Sequence, residues 1–171
     1  MKVIILAGGL GTRLPEYTKK IPKPMVKVAG YPIIVHLMKH YIISGFKEFF
    51  LATGYKSKEF KKYFRNYKKN GKAFEAIIFN KKCKVTILDT GLKTLTGGRL
   101  KKAAKHLKTQ EDFMFTYGDG LSNVNLNKLV RFHKRHGKKI TVTAVRPPAR
   151  FGELKLKNNL VNSFKEKPQV G

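Results

Sequence analysis

The sequence predicts an α/β protein built on an open, mostly parallel, doubly wound (Rossmann-like) sheet with helices on both faces. Short apolar segments alternate with helical stretches of about 10–15 residues, a pattern typical of parallel strands joined by helical crossovers. The first apolar segment, residues 3–7, is continuous, as expected for a strand buried on both faces. The 171 residues suffice for one packed domain, which we place at residues 1–171.

The N-terminal part of the chain predicts one strand, one loop and one helix. The strand at residues 3–7 runs into a glycine-rich loop at residues 8–14, and the proline-containing residues 15–31 predict no regular element. A helix is predicted to begin at Pro32, since proline suits a first turn, and to end near Gly45. Between them, apolar side chains recur at helical spacing: Ile33, Ile34, Leu37, Met38, Tyr41 and Ile42.

The remaining elements follow the same alternation. Apolar segments predict strands at residues 48–53, 84–88, 112–116 and 140–145, with a final short pair at residues 153–156 and 161–165. Helices are predicted from N-cap Ser57 to about residue 67, at residues 99–107, and from N-cap Asn125 to residue 136. No element is predicted for the basic residues 68–82 or for a second loop, rich in glycine and threonine, at residues 89–98.

Composition excludes several classes of protein. No apolar run approaches the roughly 20 residues that span a bilayer. The N-terminal apolar run is too short for a signal peptide, so we expect no membrane segment and a cytoplasmic protein. Cys83 is the only cysteine, which excludes an intrachain disulfide and a cysteine-rich zinc site.

The charge is strongly positive, with 37 Lys and Arg against 10 Asp and Glu and a formal net charge of +27. Such a charge attracts polyanions, among them nucleic acid, acidic lipid and phosphorylated small molecules. The basic residues are spread along the chain in doublets such as residues 61–62 and 138–139, which favours a solvated surface over one binding patch. Aromatic residues do not alternate with these doublets, so nucleic acid is disfavoured as a partner. A polyanion-binding protein is kept as a second hypothesis.

The strongest motif is LAGGLGTRL at residues 6–14, directly after the first strand. Glycines let a backbone approach a ligand closely, loops of this kind direct amide groups at phosphate oxygens, and Arg13 can add a bidentate clamp. The loop follows the carboxyl end of a strand, where open α/β sheets bind ligands. It contains neither the G-x-G-x-x-G dinucleotide fingerprint nor a Walker A sequence.

Three further strings supply charged groups. Lys23 lies between two prolines on a stiff backbone, which suits a cation that meets a phosphate; an ordinary exposed loop lysine is the alternative. Asp119, in YGDG after an apolar segment, suits Mg²⁺ held through one carboxylate and substrate phosphates; a tight Asp-Gly turn is the alternative. Glu166 and Lys167 can hold sugar hydroxyls and a phosphate; a charged strand end is the alternative.

Taken together and in this order, these strings resemble the sugar nucleotidyltransferase family. The resemblance covers the whole chain. It rests above all on the strings LAGGLGTRL (6–14), PKPM (22–25), TGGRLK (96–101), FTYGDG (115–120) and FKEKP (164–168). The glycine loop and EKP are shared across the family, whereas TGGRLK and TYGDG are more particular to its cytidylyl branch.

The resemblance implies a reaction in which a sugar-1-phosphate oxygen attacks the α-phosphorus of a nucleoside triphosphate and pyrophosphate leaves. The cytidylyl branch implies CTP and glucose-1-phosphate, with CDP-glucose made for surface-polysaccharide (O-antigen) biosynthesis. Mg²⁺ is the implied cofactor, held by Asp119, and the implied catalytic residues are Arg13, Lys23 and Asp119. The implied nucleotide-binding residues are Leu6, Ala7, Gly8, Gly9, Gly11, Thr12, Arg13, Lys23, Thr96, Gly97, Gly98 and Arg99. The implied ligands of the sugar and its phosphate are Glu166 and Lys167.

Family members continue well beyond the EKP string, with a second metal-binding aspartate, further sugar contacts and oligomer contacts. The chain is therefore expected to be a C-terminally shortened member. Two alternatives stay open beside CTP transfer. One is the same reaction with another base, by thymidylyl, uridylyl or guanylyl transfer. The other is a nucleotide-binding relative without turnover.

Overall fold

The computed structural model describes residues 1–12, 15–107, 112–145 and 152–166, and the chain forms two compact units, Met1–Leu129 and Val130–Gly171. The strands of the first unit are β1 (Lys2–Ala7), β2 (Lys27–Val28), β3 (Tyr31–Pro32), β4 (Glu48–Thr53), β5 (Lys68–Asn70), β6 (Ala73–Ile78), β7 (Lys81–Asp89) and β8 (Phe113–Tyr117). Its helices are α1 (Pro15–Thr18), a 3-10 turn (Lys23–Met25), α2 (Ile33–Ile43), α3 (Ser57–Phe64) and α4 (Thr96–Ala104), and α5 (Leu126–His136) contributes to both units. Within the described residues, no helix has the length and apolar character that crossing a membrane requires.

Six strands of the first unit form one sheet, in the order β5-β6-β7-β4-β1-β8. Strands β7, β4, β1 and β8 run parallel, whereas β6 pairs antiparallel with β7 and β5 pairs antiparallel with β6. The predicted open, mostly parallel sheet is confirmed. Strands β2 and β3 form a separate hairpin, so residues 15–31 hold short elements where none was predicted.

Helices cover both faces of this sheet, as predicted. Successive residues of β1 point to opposite faces, and from Val3 onward all of them are buried. Val3 and Ile5 belong to a core shared with α2 and with Phe60 of α3. Ile4 belongs to a second core that includes Ala103 of α4. Burial on both faces is why this segment is a continuous apolar run.

The parallel strands create a topological switch point between β1 and β8. Numbered by their order in the chain, the four strands lie in the order third, second, first and fourth, so the connections depart from β1 in both directions. Open α/β sheets bind ligands outside the carboxyl ends of their strands at such a point. The Gly118 amide donates a hydrogen bond to the Leu6 carbonyl at 2.9 Å. The glycine-rich loop after β1 and the YGDG string after β8 therefore lie side by side.

Two stretches predicted as loops contain regular structure. Residues 68–82 hold β5 and β6. Strand β5 is polar and exposed throughout, and the apolar residues of β6 are interrupted by Glu75 and flanked by lysines, so the sequence of this basic segment predicts no element. Helix α4 begins at Thr96 instead of residue 99. Its first turn includes Gly97 and Gly98, whose poor helix propensity made this segment resemble a loop.

Of the two predicted helix N-caps, the structure confirms Asn125 but not Ser57. Asn125 caps α5 as predicted, since its Oδ1 accepts a hydrogen bond from the Lys128 amide at 2.9 Å. Ser57 does not cap α3. The N-cap position is taken by Lys56, in a left-handed conformation with φ 49, and the Ser57 hydroxyl is hydrogen bonded to the Thr53 hydroxyl at 2.7 Å instead.

The second unit contains the predicted C-terminal strand pair. Strands β9 (Glu153–Lys157) and β10 (Leu160–Lys165) pair antiparallel around Asn158 and Asn159, which both have the positive φ of a tight hairpin turn. Residues 140–145 form no strand, so that prediction is wrong. The Thr141 hydroxyl in this segment is engaged by two histidines of α5, at 2.8 and 2.7 Å, which competes with extended pairing.

Cys83 has a buried, free thiol whose ionisation and reactivity can be tested. Burial on β7 raises the pKa of its thiol from an ordinary value of 9.0 to about 11. The stability that the neutral thiol contributes is therefore fully present below pH 9 and is lost as the pH rises towards 11. At pH 8 an alkylating reagent is expected to label the native protein far more slowly than the denatured chain. Equal labelling rates in the two states would show that the thiol is accessible.

Candidate functional site

A cavity of about 620 Å³ opens at the carboxyl ends of β1 and β8. This volume is in the range of small-molecule sites, roughly 300–1,000 Å³. Its wall is built by the glycine-rich loop, the 3-10 turn, the β7–α4 connection and the residues around the end of β8. The predicted site residues that line it are Leu6, Ala7, Gly8, Gly9, Gly11, Thr12, Lys23, Thr96, Arg99 and Asp119.

Two glycines of the loop make approaches that any side chain would block. Gly11 has a φ of +69, and a Cβ there would lie 2.7 Å from Cγ2 of Thr18 in α1. A Cβ on Gly8 would lie 2.1 Å from Nη1 of Arg99 in α4. The bare backbone therefore packs against both helices and itself forms part of the cavity wall, as a phosphate-binding loop requires.

Lys23 and Asp119 meet at this cavity. The Lys23 ammonium lies 2.6 Å from Oδ2 of Asp119, and the two side chains are 31% and 34% exposed. Lys23 begins the 3-10 turn and lies between Pro22 and Pro24, which are both buried, so its backbone is fixed. Two groups predicted separately from the sequence are thus brought into one charged pair beside the glycine-rich loop.

Gly118 sets the distance between the two segments that carry this pair. A Cβ on Gly118 would lie 2.8 Å from Cγ of Pro24 and 3.1 Å from its Cβ. The proline ring is rigid, so the contact is relieved only by moving the 3-10 turn away from the end of β8. The position therefore requires glycine for close approach.

A Gly118→Ala variant is expected to fold but to bind nucleotide poorly, because the added methyl group displaces Lys23 from Asp119. We expect a loss of stability of about 1–3 kcal/mol, as for other overpacked sites. Gly120→Ala is the matched control, since the nearest atoms to a Cβ there lie at 3.7 and 3.8 Å, an ordinary contact. Thermal melting and CTP titration of both variants make the comparison. Wild-type CTP affinity in Gly118→Ala would show that this spacing does not matter.

Arg99 of α4 is buried, and its guanidinium fixes the β7–α4 connection through hydrogen bonds. Its Nη1 donates to the Thr53 carbonyl at 3.0 Å and to the Thr90 hydroxyl at 2.7 Å, and its Nη2 donates to the Leu92 carbonyl at 3.1 Å. Burial lowers the pKa of this guanidinium, and the charge of Asp89 opposes that shift. Arg99 lines the cavity, and its hydrogen bonds show that it orders the loop beside the ligand space.

Replacing Arg99 with lysine is expected to destabilise the fold, because an ammonium cannot donate hydrogen bonds to three acceptors in the planar, forked geometry of a guanidinium. Leaving buried carbonyls without donors costs about 1–3 kcal/mol. For a chain of this size that corresponds to a fall in melting temperature of about 2–4 °C per kcal/mol. Arg65→Lys, on an exposed arginine, controls for the change of side chain. A melting temperature unchanged in Arg99→Lys would contradict this role.

Asp89 is the last residue of β7 and orders the turn that follows it. Its Oδ1 accepts a hydrogen bond from the Gly91 amide at 3.0 Å, so it caps the turn that leads out of β7. Lys102 adds a second restraint, with its ammonium donating to the Thr90 carbonyl at 2.8 Å and to the Thr94 hydroxyl at 3.1 Å. The cavity wall at this loop is therefore fixed from two sides.

The remaining predicted site residues differ in what the structure describes of them. Gly97 and Gly98 lie exposed in the first turn of α4 and do not line the cavity. Glu166 belongs to the second unit, directly after β10. Arg13 and Lys167 lie outside the described residues.

Sequence reasoning missed several residues of the wall. Leu92 and Leu95 of the β7–α4 connection and Tyr117 at the end of β8 line the cavity, and all three are exposed. Large apolar side chains in a connection that follows a strand at this edge of the sheet indicate part of a ligand-binding wall, so the sequence contained a signal for these residues. They give the ligand space apolar lining beside the charged pair, as a nucleobase or ribose would need.

The described residues contain no group of three or more His, Cys, Asp and Glu that could hold a metal by themselves. Mg²⁺ does not require such a cage, since it is commonly held by one or two carboxylates together with substrate phosphates. Asp119 supplies one hard oxygen ligand at the mouth of the cavity, next to the loop that suits phosphates. The donor set therefore fits Mg²⁺ that arrives with a triphosphate.

Comparison with known proteins matches this architecture. A sequence model described as nucleotidyl transferase matches residues 2–170. The glucose-1-phosphate cytidylyltransferase of Salmonella typhimurium is 46% identical over 99% of this chain, which covers 70% of that protein. A probable glucose-1-phosphate cytidylyltransferase of Bacillus subtilis is 39% identical over 98% of this chain, which covers 69% of that protein.

A solved structure extends the similarity to three dimensions. HddC from Yersinia pseudotuberculosis, crystallised in complex with GMP-PN, matches with a TM-score of 0.71 and 27% identity. The match covers 98% of this chain and 70% of that chain.

Proposed function

Because the chain belongs to the nucleotidyl transferase family of enzymes, we propose that it transfers CMP from CTP to glucose-1-phosphate, giving CDP-glucose and pyrophosphate. The choice of substrates is supported by the relatives from Salmonella typhimurium and Bacillus subtilis, which carry that activity in their names. The observation that carries the proposal is the meeting of a glycine-rich loop, Lys23 and Asp119 at one cavity. As part of the proposal, residues 1–171 constitute one nucleotidyltransferase domain.

In the proposed reaction, an ionised oxygen of glucose-1-phosphate attacks the α-phosphorus of CTP. The bond from that phosphorus to the α–β bridging oxygen breaks, and pyrophosphate leaves with the electron pair. No general base is required, because the attacking phosphate is already ionised. The protein contributes positioning and charge neutralisation, which are the main components of phosphoryl transfer catalysis.

The proposed roles are those that the family resemblance implies, and the cavity lining supports them for Leu6 to Thr12, Lys23 and Asp119. The backbone from Leu6 to Thr12 cradles the nucleotide, in a loop whose bare glycines allow close approach. Lys23, with Arg13, neutralises the triphosphate and the leaving pyrophosphate. Asp119 is the proposed Mg²⁺ ligand. When bound, the metal ion would neutralise negative charge that develops on the phosphate oxygens.

The ion pair between Lys23 and Asp119 does not exclude further ligands. It joins the ammonium to Oδ2 at 2.6 Å, but an ammonium has three donors and a carboxylate has two oxygens, so each group can also bind a ligand while paired. Both side chains are about one third exposed, so the pair is a weak one that a charged ligand can displace. On the sugar side of the reaction, Glu166 and Lys167 remain the proposed ligands of glucose-1-phosphate.

Pyrophosphate release with glucose-1-phosphate and Mg²⁺, measured in parallel with CTP, UTP, dTTP and GTP, tests this function. We expect kcat/KM for CTP to exceed that for each other nucleotide by at least about tenfold, the discrimination that a few hydrogen bonds to a base provide. Faster turnover of another nucleotide would assign a different base. Saturable CTP binding without pyrophosphate release would identify a nucleotide-binding relative without turnover.

A further inference from the structure

The segment that follows β4, Gly54-Tyr55-Lys56, makes hydrogen bonds to both ends of the stretch that contains the glycine-rich loop. The Tyr55 amide donates to the Gly8 carbonyl at 3.3 Å, at the start of that stretch. The Tyr55 hydroxyl donates to the Thr18 carbonyl at 2.9 Å, at its end. The Lys56 ammonium donates to the next carbonyl, that of Lys19. One short segment thus brackets residues 8–19.

Thr18 connects Tyr55 to the glycine-rich loop, because it contacts both. It is buried, with 4% exposure, and its hydroxyl donates to the Gly11 carbonyl at 3.0 Å. Its methyl group packs so closely on Gly11 that a Cβ there would lie 2.7 Å from it, and the same Cβ would lie 3.3 Å from Cβ of Lys23. A continuous line of contacts therefore runs from Tyr55 through Thr18 and Gly11 to Lys23.

We infer that Tyr55 is a positioning residue for the phosphate-binding loop, an inference that rests on the proposed function for the identity of the ligand. Its side chain does not line the cavity, so it acts through Thr18 and Gly11 and not on the nucleotide itself. The loop that it restrains must present backbone groups to phosphates without rearranging. Restraint of this kind favours binding because less conformational entropy is lost when the ligand arrives.

The Tyr55→Phe variant tests this inference, since it keeps the ring and the amide and removes only the bond to the Thr18 carbonyl. In the ligand-free protein, amide hydrogen exchange of residues 8–12 and 15–19 is expected to accelerate about three- to tenfold, the worth of one net hydrogen bond. The KM for CTP should rise by a similar factor, with kcat changed less than twofold and the melting temperature lowered by no more than about 2–4 °C, as the loss of one hydrogen bond implies. Tyr17→Phe, on an exposed tyrosine of α1, is the matched control and should match the wild type.

Two variants of Thr18 provide the independent check. Thr18→Ser keeps the hydroxyl but loses the methyl group that packs on Gly11, and its exchange and KM should stay closer to the wild type than those of Thr18→Val, which removes the hydroxyl and should reproduce the effect of Tyr55→Phe. Exchange in residues 8–19 that is unchanged in Tyr55→Phe overturns the inference, whether or not the protein binds CTP. A fall in melting temperature with no selective change in that segment also overturns it, because it would indicate a general structural role. If the wild type fails to bind CTP while exchange changes as expected, the proposed function fails and the positioning role stands.

Discussion

The Lys23→Ala variant is expected to lose at least about 100-fold in kcat/KM for CTP, because it removes the cation proposed to neutralise the triphosphate and the leaving pyrophosphate. Affinity for CTP with Mg²⁺ should fall about 10- to 100-fold, as expected for a charge-assisted hydrogen bond. The fold should survive, since the partner of Lys23 is a partly exposed carboxylate. Calorimetric titration and steady-state kinetics measure the two effects separately.

Lys138→Ala is the control for this prediction. It removes the same charge from an exposed position in the second unit, and its effect on CTP affinity should stay within about twofold at physiological salt, where exposed charges are screened. Equal losses in the two variants would mean that the net charge of +27, and not a defined site, attracts the nucleotide.

The second large effect is expected in Asp119→Asn. Turnover with Mg²⁺ should fall about 100- to 1,000-fold, since the variant loses the carboxylate proposed to hold the metal at the reacting phosphates. In the absence of metal, however, CTP should bind at least as tightly as to the wild type. The reason is the ion pair: the wild-type carboxylate lies 2.6 Å from the Lys23 ammonium, and asparagine leaves that ammonium free for phosphate.

These opposite effects separate a metal ligand from a structural residue. Glu16→Gln, on an exposed acidic residue of α1, removes the same charge and should change neither measurement. A parallel loss of CTP affinity with and without Mg²⁺ in Asp119→Asn would contradict the assigned role. Activity at the wild-type level would do so as well.

Much of the site could be predicted because its parts obey local rules. The loop at residues 8–14 follows a strand that is apolar on both faces, and such loops lie at the ligand-binding edge of a parallel sheet. Asp119 follows a second strand of the same direction, which the topology places next to the first. Lys23 is held by flanking prolines whose stiffness is evident from the sequence alone.

The missed features depend on contacts between distant segments. Strand β6 is stabilised by pairing with β7, and β5 by pairing with β6, which composition cannot reveal in a basic segment. The carbonyl groups served by Arg99 and Tyr55 belong to residues far away in the chain. Among the described residues no strand pairs with residues 140–145, and the Thr141 hydroxyl is hydrogen bonded to two histidines of α5. Local propensity carries no information on such partners.

The central claim is that the cavity between β1 and β8 binds a nucleoside triphosphate together with Mg²⁺ through Lys23 and Asp119. Calorimetric titration of the protein with CTP, with and without Mg²⁺ and at two salt concentrations, tests it most directly. The account predicts one saturable site that requires Mg²⁺ for full affinity, persists at physiological salt and is lost in Lys23→Ala. Absence of binding, or binding that disappears with salt and is equally strong in Lys23→Ala, would contradict it and point to diffuse attraction of polyanions.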